Sequence, residues 1–211
     1  DFDCLLSGKE TAVLMLHGLE GSSQRPYMLG MAQMALANNW DVVAMNHRGC
    51  SGEPNRLLSA YHSGKSEDLQ YGIDFVKSKG YKCILVVGFS LGGNIVLKYA
   101  GENANTLDES IKAFAAVSVP VQLQDSAMQL KKGFNKVYMA RFMKTLKAKG
   151  FEKLKLFPNA PFTYQDVRKA KTFHDFDEFF TGPVHGFSGA EDYWAKCSSR
   201  QFLPFIKTPT L

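Results

Sequence analysis

The sequence predicts an α/β domain built on a mostly parallel sheet with helices on both faces. Three observations predict it: short, wholly apolar runs that end in Gly or Pro, amphipathic stretches of helical period between them, and the regular alternation of the two. The 211 residues, 45% of them hydrophobic, supply one core-bearing domain and hardly two. Aromatics at 12% and charged residues at 21% argue against disorder. Cys4, Cys50, Cys83 and Cys197 form no C-x-x-C pair and have no histidine at ligand spacing. That pattern excludes a disulfide scaffold or a zinc module and favours a reducing, cytoplasmic compartment. No apolar run reaches the roughly 18 residues of a membrane span. The sequence opens on Asp1 rather than Met, so an upstream signal or anchor stays open.

The elements follow in order. A buried strand is predicted over 12–16 (AVLML), running into His17-Gly18. A second covers 40–45 and ends at Asn46-His47-Arg48-Gly49; a third covers 83–87 and ends at Gly88; a fourth covers 113–119 and stops at Pro120. Between them, a helix over 26–38 repeats Met28, Met31, Ala32, Ala35 and Leu36 at helical spacing, with Pro26 suited to a first helical position. A helix over 66–79 opens on Ser66-Glu67-Asp68, read as a cap with acids in the first turn, and carries Leu69, Ile73 and Val76 on one face. A helix over 91–104 gathers Ile95, Val96, Tyr99 and Ala100. Residues 1–120 are thus read as the first part of the α/β core. Residues 121–200 are read as a helical cap inserted on it, with amphipathic helices over 125–132 and 136–149 and an irregular aromatic stretch over 173–194. Residues 201–211 are read as the start of a strand returning to the core.

Charge is unevenly placed. The formal net charge is +5, yet residues 131–171 carry twelve Lys or Arg against only Glu152 and Asp166, which leaves the rest of the chain at −5. Such a segment is either a solvated helical face or a surface for an anionic partner.

The segment that points to chemistry is Gly88-Phe89-Ser90-Leu91-Gly92-Gly93. G-x-S-x-G alone is weak, but here a buried strand runs into it and an amphipathic helix leaves it, the context of a nucleophile elbow. Side chains at Gly88 and Gly92 would collide with neighbouring backbone in such a turn. The turn in turn pushes the Ser90 hydroxyl out at the positive end of the following helix. A similar string, Gly186-Phe187-Ser188-Gly189-Ala190, lacks the last glycine, follows no strand and is set aside. Acyl transfer also needs oxyanion donors. The N–H of Leu91 is one candidate. The N–H of Leu19, brought round by Gly18 in the loop after the first strand, is the other. His17 is read as a loop brace, not a base. In the chain order Ser, acid, His, only Asp175 or Asp177 with His185 fit formally. They precede the final strand, so all three are read as cap or loop packing.

These stretches together resemble the α/β-hydrolase superfamily, and within it the YheT-type esterase branch of bacterial proteins with animal and plant relatives. The matching stretches are His17-Gly18-Leu19-Glu20-Gly21-Ser22-Ser23 with Arg25-Pro26-Tyr27, Asn46-His47-Arg48-Gly49-Cys50-Ser51-Gly52, and Tyr61-His62-Ser63-Gly64 with Glu67-Asp68-Leu69. They continue through 88–99 (GFSLGGNIVLKY), Phe176-Asp177, Gly186-Phe187, Asp192-Tyr193 and Leu203-Pro204. The resemblance implies an ester hydrolase acting on lipid-like or short-chain esters, with Ser90 as nucleophile, Leu19 and Leu91 as backbone donors, and no cofactor or metal. In the family a segment like Pro209-Thr210-Leu211 leads into the strand before the acid. The resemblance therefore implies a chain truncated at both ends, with the triad acid and base outside this sequence. Dehalogenases and epoxide hydrolases carry a carboxylate where Ser90 stands; thioesterases, amidases and acyltransferases share the acyl-serine step. The expected partner is a small ester or lipid, with no nucleic acid and with peripheral contact to an anionic membrane through 121–200. Met128, Phe134, Tyr138, Phe142 and Met143 are read either as lining of an acyl pocket or as packing. The reading from another class is a non-catalytic binding or scaffold protein that retains the fold and docks on an anionic membrane.

Overall fold

The computed structural model describes residues 1–211. Its central strand, β2 (Thr11–Leu16), lies parallel between β3 (Asp41–Met45) and β4 (Cys83–Phe89), and β5 (Ile111–Val117) continues the parallel set beyond β4. The sheet order is β1-β3-β2-β4-β5, with β1 (Phe2–Leu5) antiparallel to β3 at one edge. Every residue from Ala12 to Leu16 is buried, as a strand covered on both faces requires. β1 escaped the sequence reading because F-D-C-L is a short edge strand, mostly exposed, with no apolar run to announce it.

Helices cover both faces. On one, Met28, Ala32 and Ala35 of α1 (Pro26–Ala37) pack on Val13, Met15, Val42 and Ala44. On the other, α2 (Ser66–Ser78) comes so close that a Cβ on Gly72 would stand 3.3 Å from Leu14. Beside α2 lies α3 (Leu91–Glu102), of which every residue but the last is buried. Ser66 is not the cap it was read as. Lys65 holds the cap position, and the Ser66 hydroxyl donates to Glu102 at 2.8 Å. Glu67 and Asp68 do occupy the first turn. At the start of β3, buried Asp41 accepts hydrogen bonds from the N–H groups of Ser7 and Lys9, the Ser7 hydroxyl and the Tyr81 hydroxyl. Burial works to raise its pKa, but these four donors outweigh it and hold the carboxyl below the usual range. At the free edge of β5, Phe114 N–H donates to Pro209 O at 3.0 Å and Ala116 N–H to Leu211 O at 2.8 Å, so the last residues begin a parallel pairing.

The chain divides into two units, one of residues 1–54, 63–121 and 199–211, the other of residues 55–62 and 122–198. The regular elements of the second unit's longer segment are all helices: α4 (Leu123–Leu130), α5 (Asn135–Leu156), α6 (Tyr164–Lys169), α7 (Phe173–Phe176), a π-helical turn (Asp177–Thr181), α8 (Gly182–His185) and α9 (Ala190–Cys197). The stretch read as irregular, 173–194, is thus a run of short helices. Gly182, Pro183, Gly186 and Gly189 punctuate it, and no single period survives across them. Capping boxes at Thr163–Asp166 and Thr172–Asp175 start α6 and α7. Leu123, Ala127, Ala190, Tyr193, Trp194 and Cys197 form one core of this unit. α5 turns Met139, Met143, Leu146 and Gly150 inward. Lys153 donates to the carbonyls of Asn55 and Leu57, which ties 55–62 to α5, and burial lowers its pKa.

Within this unit Asp177 accepts from Thr181 Oγ1 at 2.7 Å and from Trp194 Nε1 at 2.8 Å. Burial nonetheless pushes its carboxyl up from 3.8 to about 7. Between those two values the folded chain holds a proton that the unfolded chain has released, so stability falls as pH rises through the window. Asp177→Asn removes that titration. Urea unfolding compared at about pH 5 and about pH 8 is expected to show a smaller loss of stability with pH in the variant than in the parent. An identical pH slope in both contradicts the assignment.

Candidate active site

In the first unit β2 and β4 end side by side, with Leu16 paired to Gly88. Ser90 stands between β4 and α3 at φ 51°, ψ −116°. Positive φ at a non-glycine residue costs on the order of 1–3 kcal/mol and persists only where the surroundings over-determine it. Here they do. Ser90 N–H donates to Val117 O of β5 at 2.8 Å, and Ser90 O accepts from Asn94 N–H at 3.0 Å, the first rung of α3. Asn94, wholly buried, in turn donates from Nδ2 to Ser63 O and accepts from Ser199 N–H.

The glycines set how near the turn comes to the strand ends. A Cβ on Gly88 would lie 2.5 Å from Gly92 O, and one on Gly92 would lie 2.6 Å from Leu16 O and 2.7 Å from His17 O. Neither position admits any other side chain without moving backbone. Leu91, the first residue of α3, is buried, and its N–H falls outside the i→i−4 ladder, at the positive end of the helix.

The loop after β2 meets this turn. A Cβ on Gly18 would stand 3.2 Å from Ser90 Cβ, and half-buried Leu19 follows directly. Three groups fix the loop. Gly18 N–H donates to Tyr27 Oη at 3.0 Å, and Gly18 O accepts from Gly21 N–H at 3.0 Å. His17, wholly buried, accepts at Nε2 from His47 N–H at 3.1 Å. Its proton therefore sits on Nδ1, 2.7 Å from Gly18 O, to which it donates. The His47 ring lies edge-on to that of His17 and donates from Nε2 to His17 O at 2.8 Å. Both ring nitrogens of His17 are thus engaged with backbone, one with the loop after β2 and one with the loop after β3. Tyr27 and His47 were quoted in the sequence only as matching positions. What gives them work is a partner brought near by folding, nine residues away for Tyr27 and 30 for His47, which no periodicity reports. Beyond them Asn46 accepts from Ser23 N–H at 2.9 Å, and Arg48 donates twice to Asp68, at 2.7 and 2.5 Å, which anchors the loop after β3.

The formal acid and base candidates have other work inside the second unit. Asp175 caps α7 by accepting from Lys171 N–H and Thr172 N–H. Asp177 holds Thr181 and Trp194, as above. His185 donates from Nδ1 to Thr181 O at 2.9 Å, its Nε2 accepts from Ala60 N–H at 3.1 Å, and its ring packs on that of His62. The discarded Ser188 lies between α8 and α9, with its N–H on Asp192. Of the five residues read as pocket lining or packing, Met143 is buried and Phe142 packs on Phe173, whereas Met128, Phe134 and Tyr138 are exposed. No group of three or more His, Cys, Asp or Glu is placed to hold a metal ion.

Residues 11–211 match the family described as alpha/beta hydrolase fold. YheT of Escherichia coli K12, an esterase by name, is 35% identical over 201 residues, 94% of this chain and 58% of its own. The monoacylglycerol lipase of Saccharomyces cerevisiae is 28% identical over 93% of this chain and 45% of its own, and bovine phospholipase ABHD3 is 28% identical over 94% and 48%. The chain spans about half the length of the curated relatives it matches. Among solved structures, an Exiguobacterium antarcticum esterase superposes with a TM-score of 0.54 at 16% identity over 99% of this chain and 74% of its own. The Pyrococcus furiosus esterase Pf2001 does so with a TM-score of 0.54 at 19% identity over 96% and 60%. At those identities the likeness shows the fold.

The turn can be tested through its glycines. Gly92→Ala is expected to destabilise the protein by at least about 2 kcal/mol in urea unfolding, because the added methyl meets backbone. Gly30→Ala, inside α1 with nothing within 4 Å of the new methyl, is expected to gain up to about 1 kcal/mol. Equal, small effects at both positions contradict the close approach.

Proposed function

The chain belongs to the alpha/beta hydrolase fold family, and on that premise we propose that it is a serine hydrolase cleaving carboxylic esters, lipid-like or short-chain, through an acyl-serine intermediate. The observation that carries this reading is the backbone of Ser90, held at φ 51° at the head of α3 by strand and glycine contacts. A serine used only for packing has no need of a strained turn there; a nucleophile elbow does.

In the proposed reaction Ser90 Oγ attacks the acyl carbonyl carbon and the carbonyl oxygen becomes an oxyanion. The N–H of Leu91, beside the nucleophile, and the N–H of Leu19, in the braced loop, donate hydrogen bonds to that oxyanion, aided by the α3 dipole. A general base takes the Ser90 hydroxyl proton during the attack. Collapse breaks the ester C–O bond, the departing alkoxide takes that proton and leaves as the alcohol, and water then cleaves the acyl-serine to the carboxylic acid and free Ser90. Gly18, Gly88, Gly92 and His17 are positioning residues for that pair of donors. His185, Asp175 and Asp177 are committed to helix and loop bonds, so none of them is proposed as the acid or base that activates Ser90. The scheme uses no cofactor or metal. The names of the relatives, esterase, monoacylglycerol lipase and phospholipase, support an ester or lipid substrate.

Ser90→Ala in the protein as its gene encodes it is expected to lower p-nitrophenyl ester turnover by at least about a thousandfold, with the circular dichroism spectrum and unfolding midpoint retained. Turnover at the parental rate with the fold intact contradicts the assignment.

A further inference from the structure

The second unit carries a surface that the ester chemistry does not use. At the corner between α4 and α5 the chain turns through Gly133, at φ +50°, and residues 132–138 are all exposed. Among them stand three large apolar side chains, Phe134 at 76% exposure, Val137 at 59% and Tyr138 at 49%, with Met128 at 47% on the neighbouring helix. Phe134, Val137, Tyr138 and Arg141 follow helical spacing along one side of α5, while Met139, Met143, Leu146 and Gly150 take the opposite side and are buried. The helix therefore has two apolar faces, and its own unit covers only one of them. The rings of Phe134 and Tyr138 lie edge to face at a centroid distance of 6.2 Å, so the exposed pair forms a patch instead of two isolated side chains.

The charge around the patch says what covers it. From Ser126 to Phe151 there is no acid, and seven cations, Lys131, Lys132, Lys136, Arg141, Lys144, Lys147 and Lys149, fall in that interval. Lys131, Lys132, Lys136 and Arg141 interleave with the apolar residues themselves. Further along the same helix, away from the patch, a groove of about 550 Å³ has Met143 and Phe151 among its apolar lining and Lys144 and Lys171 beside them. A solvated helix face has no use for an exposed Phe and Val at its tip. An acidic protein partner would satisfy the cations, yet would need its own apolar recess to receive three side chains. A lipid leaflet of anionic headgroups offers both at once: negative charge at the surface and an apolar layer a few ångströms beneath it. Tyr138, apolar in the ring and polar at the hydroxyl, suits the boundary between the two.

We propose that the α4–α5 corner, residues 128–141, is a peripheral docking surface for anionic lipid bilayers, with Phe134, Val137 and Tyr138 entering the leaflet and Lys131, Lys132, Lys136 and Arg141 contacting the headgroups. The proposal does not depend on the chemistry assigned to Ser90, and its test does not read activity.

The test is co-flotation of the protein with phosphatidylcholine vesicles, with and without phosphatidylserine, at low and high salt. Binding is expected only with phosphatidylserine, and is expected to weaken as salt rises. Phe134→Ala with Tyr138→Ala is expected to weaken it by at least about tenfold through lost apolar burial. Lys131→Glu with Lys136→Glu is expected to weaken it by about fivefold or more for each position. All these residues are exposed or on the rim, so the variants keep the parental unfolding midpoint. Phe134→Trp adds a direct readout: brominated phosphatidylcholine mixed with phosphatidylserine is expected to quench the new fluorescence beyond the background of Trp40 and Trp194. Equal binding to both kinds of vesicle overturns the proposal, as does no binding to either. Loss through the lysine variants with none through the aromatic pair overturns it as well, because the basic surface then acts without insertion.

Discussion

The first unit is organised around a place where three backbones nearly touch. Gly92, at the start of α3, approaches the carbonyls of Leu16 and His17 at the end of β2, while Gly88, at the end of β4, faces Gly92. Any side chain at either glycine would push helix from strand. Because nothing separates them, α3 must leave β4 at once, and the only residue left to make the turn is Ser90, which takes up a left-handed φ. The same approach brings the 17–23 loop against the turn, since that loop is the continuation of β2. The position of Ser90, the direction of α3 and the seat of the loop beside it are therefore consequences of one steric constraint. The hydrogen bonds around it, from Ser90 N–H to β5 and between the paired rings of His17 and His47, keep the arrangement from relaxing.

What could be read in the sequence followed how local its cause was. β2 and β3 were legible because both faces of each are covered, so their residues are apolar without alternation, and β4 shares that apolar run. β5, only partly covered, was legible from Ala113 on, whereas its first residues, Ile111 and Lys112, were not. The G-x-S-x-G turn was legible because strand, turn and helix are contiguous in the chain. β1 was not, since an edge strand whose partner is β3 needs no apolar run of its own. The work of Tyr27, His47 and Asn94 was not either: each acts through a partner that only folding brings near, Gly18 for Tyr27, His17 for His47, Ser63 and Ser199 for Asn94. The 173–194 stretch shows a third case. Its helices are four to eight residues long and interrupted by glycines, too short for periodicity to declare itself, and their order comes from caps and from the Asp177–Trp194 bond.

The two units divide the chemistry as they divide the chain. The first holds a buried parallel sheet whose strand ends present one strained serine. The second is a helical body with a buried carboxyl that titrates near neutrality and an outer helix whose cations outnumber its acids. Members of one fold family share the first kind of feature because the sheet imposes it, whereas the second is free to vary with what the protein meets at its surface.

The central claim is that Ser90 is a presented and activated nucleophile, and it is tested most directly by covalent labelling with a fluorophosphonate. The full-length protein, treated with the probe and digested, is expected to carry one adduct, on the peptide containing Ser90, and to lose it on heat unfolding before treatment. An intact folded protein that takes no adduct, or takes it at another serine, contradicts the account.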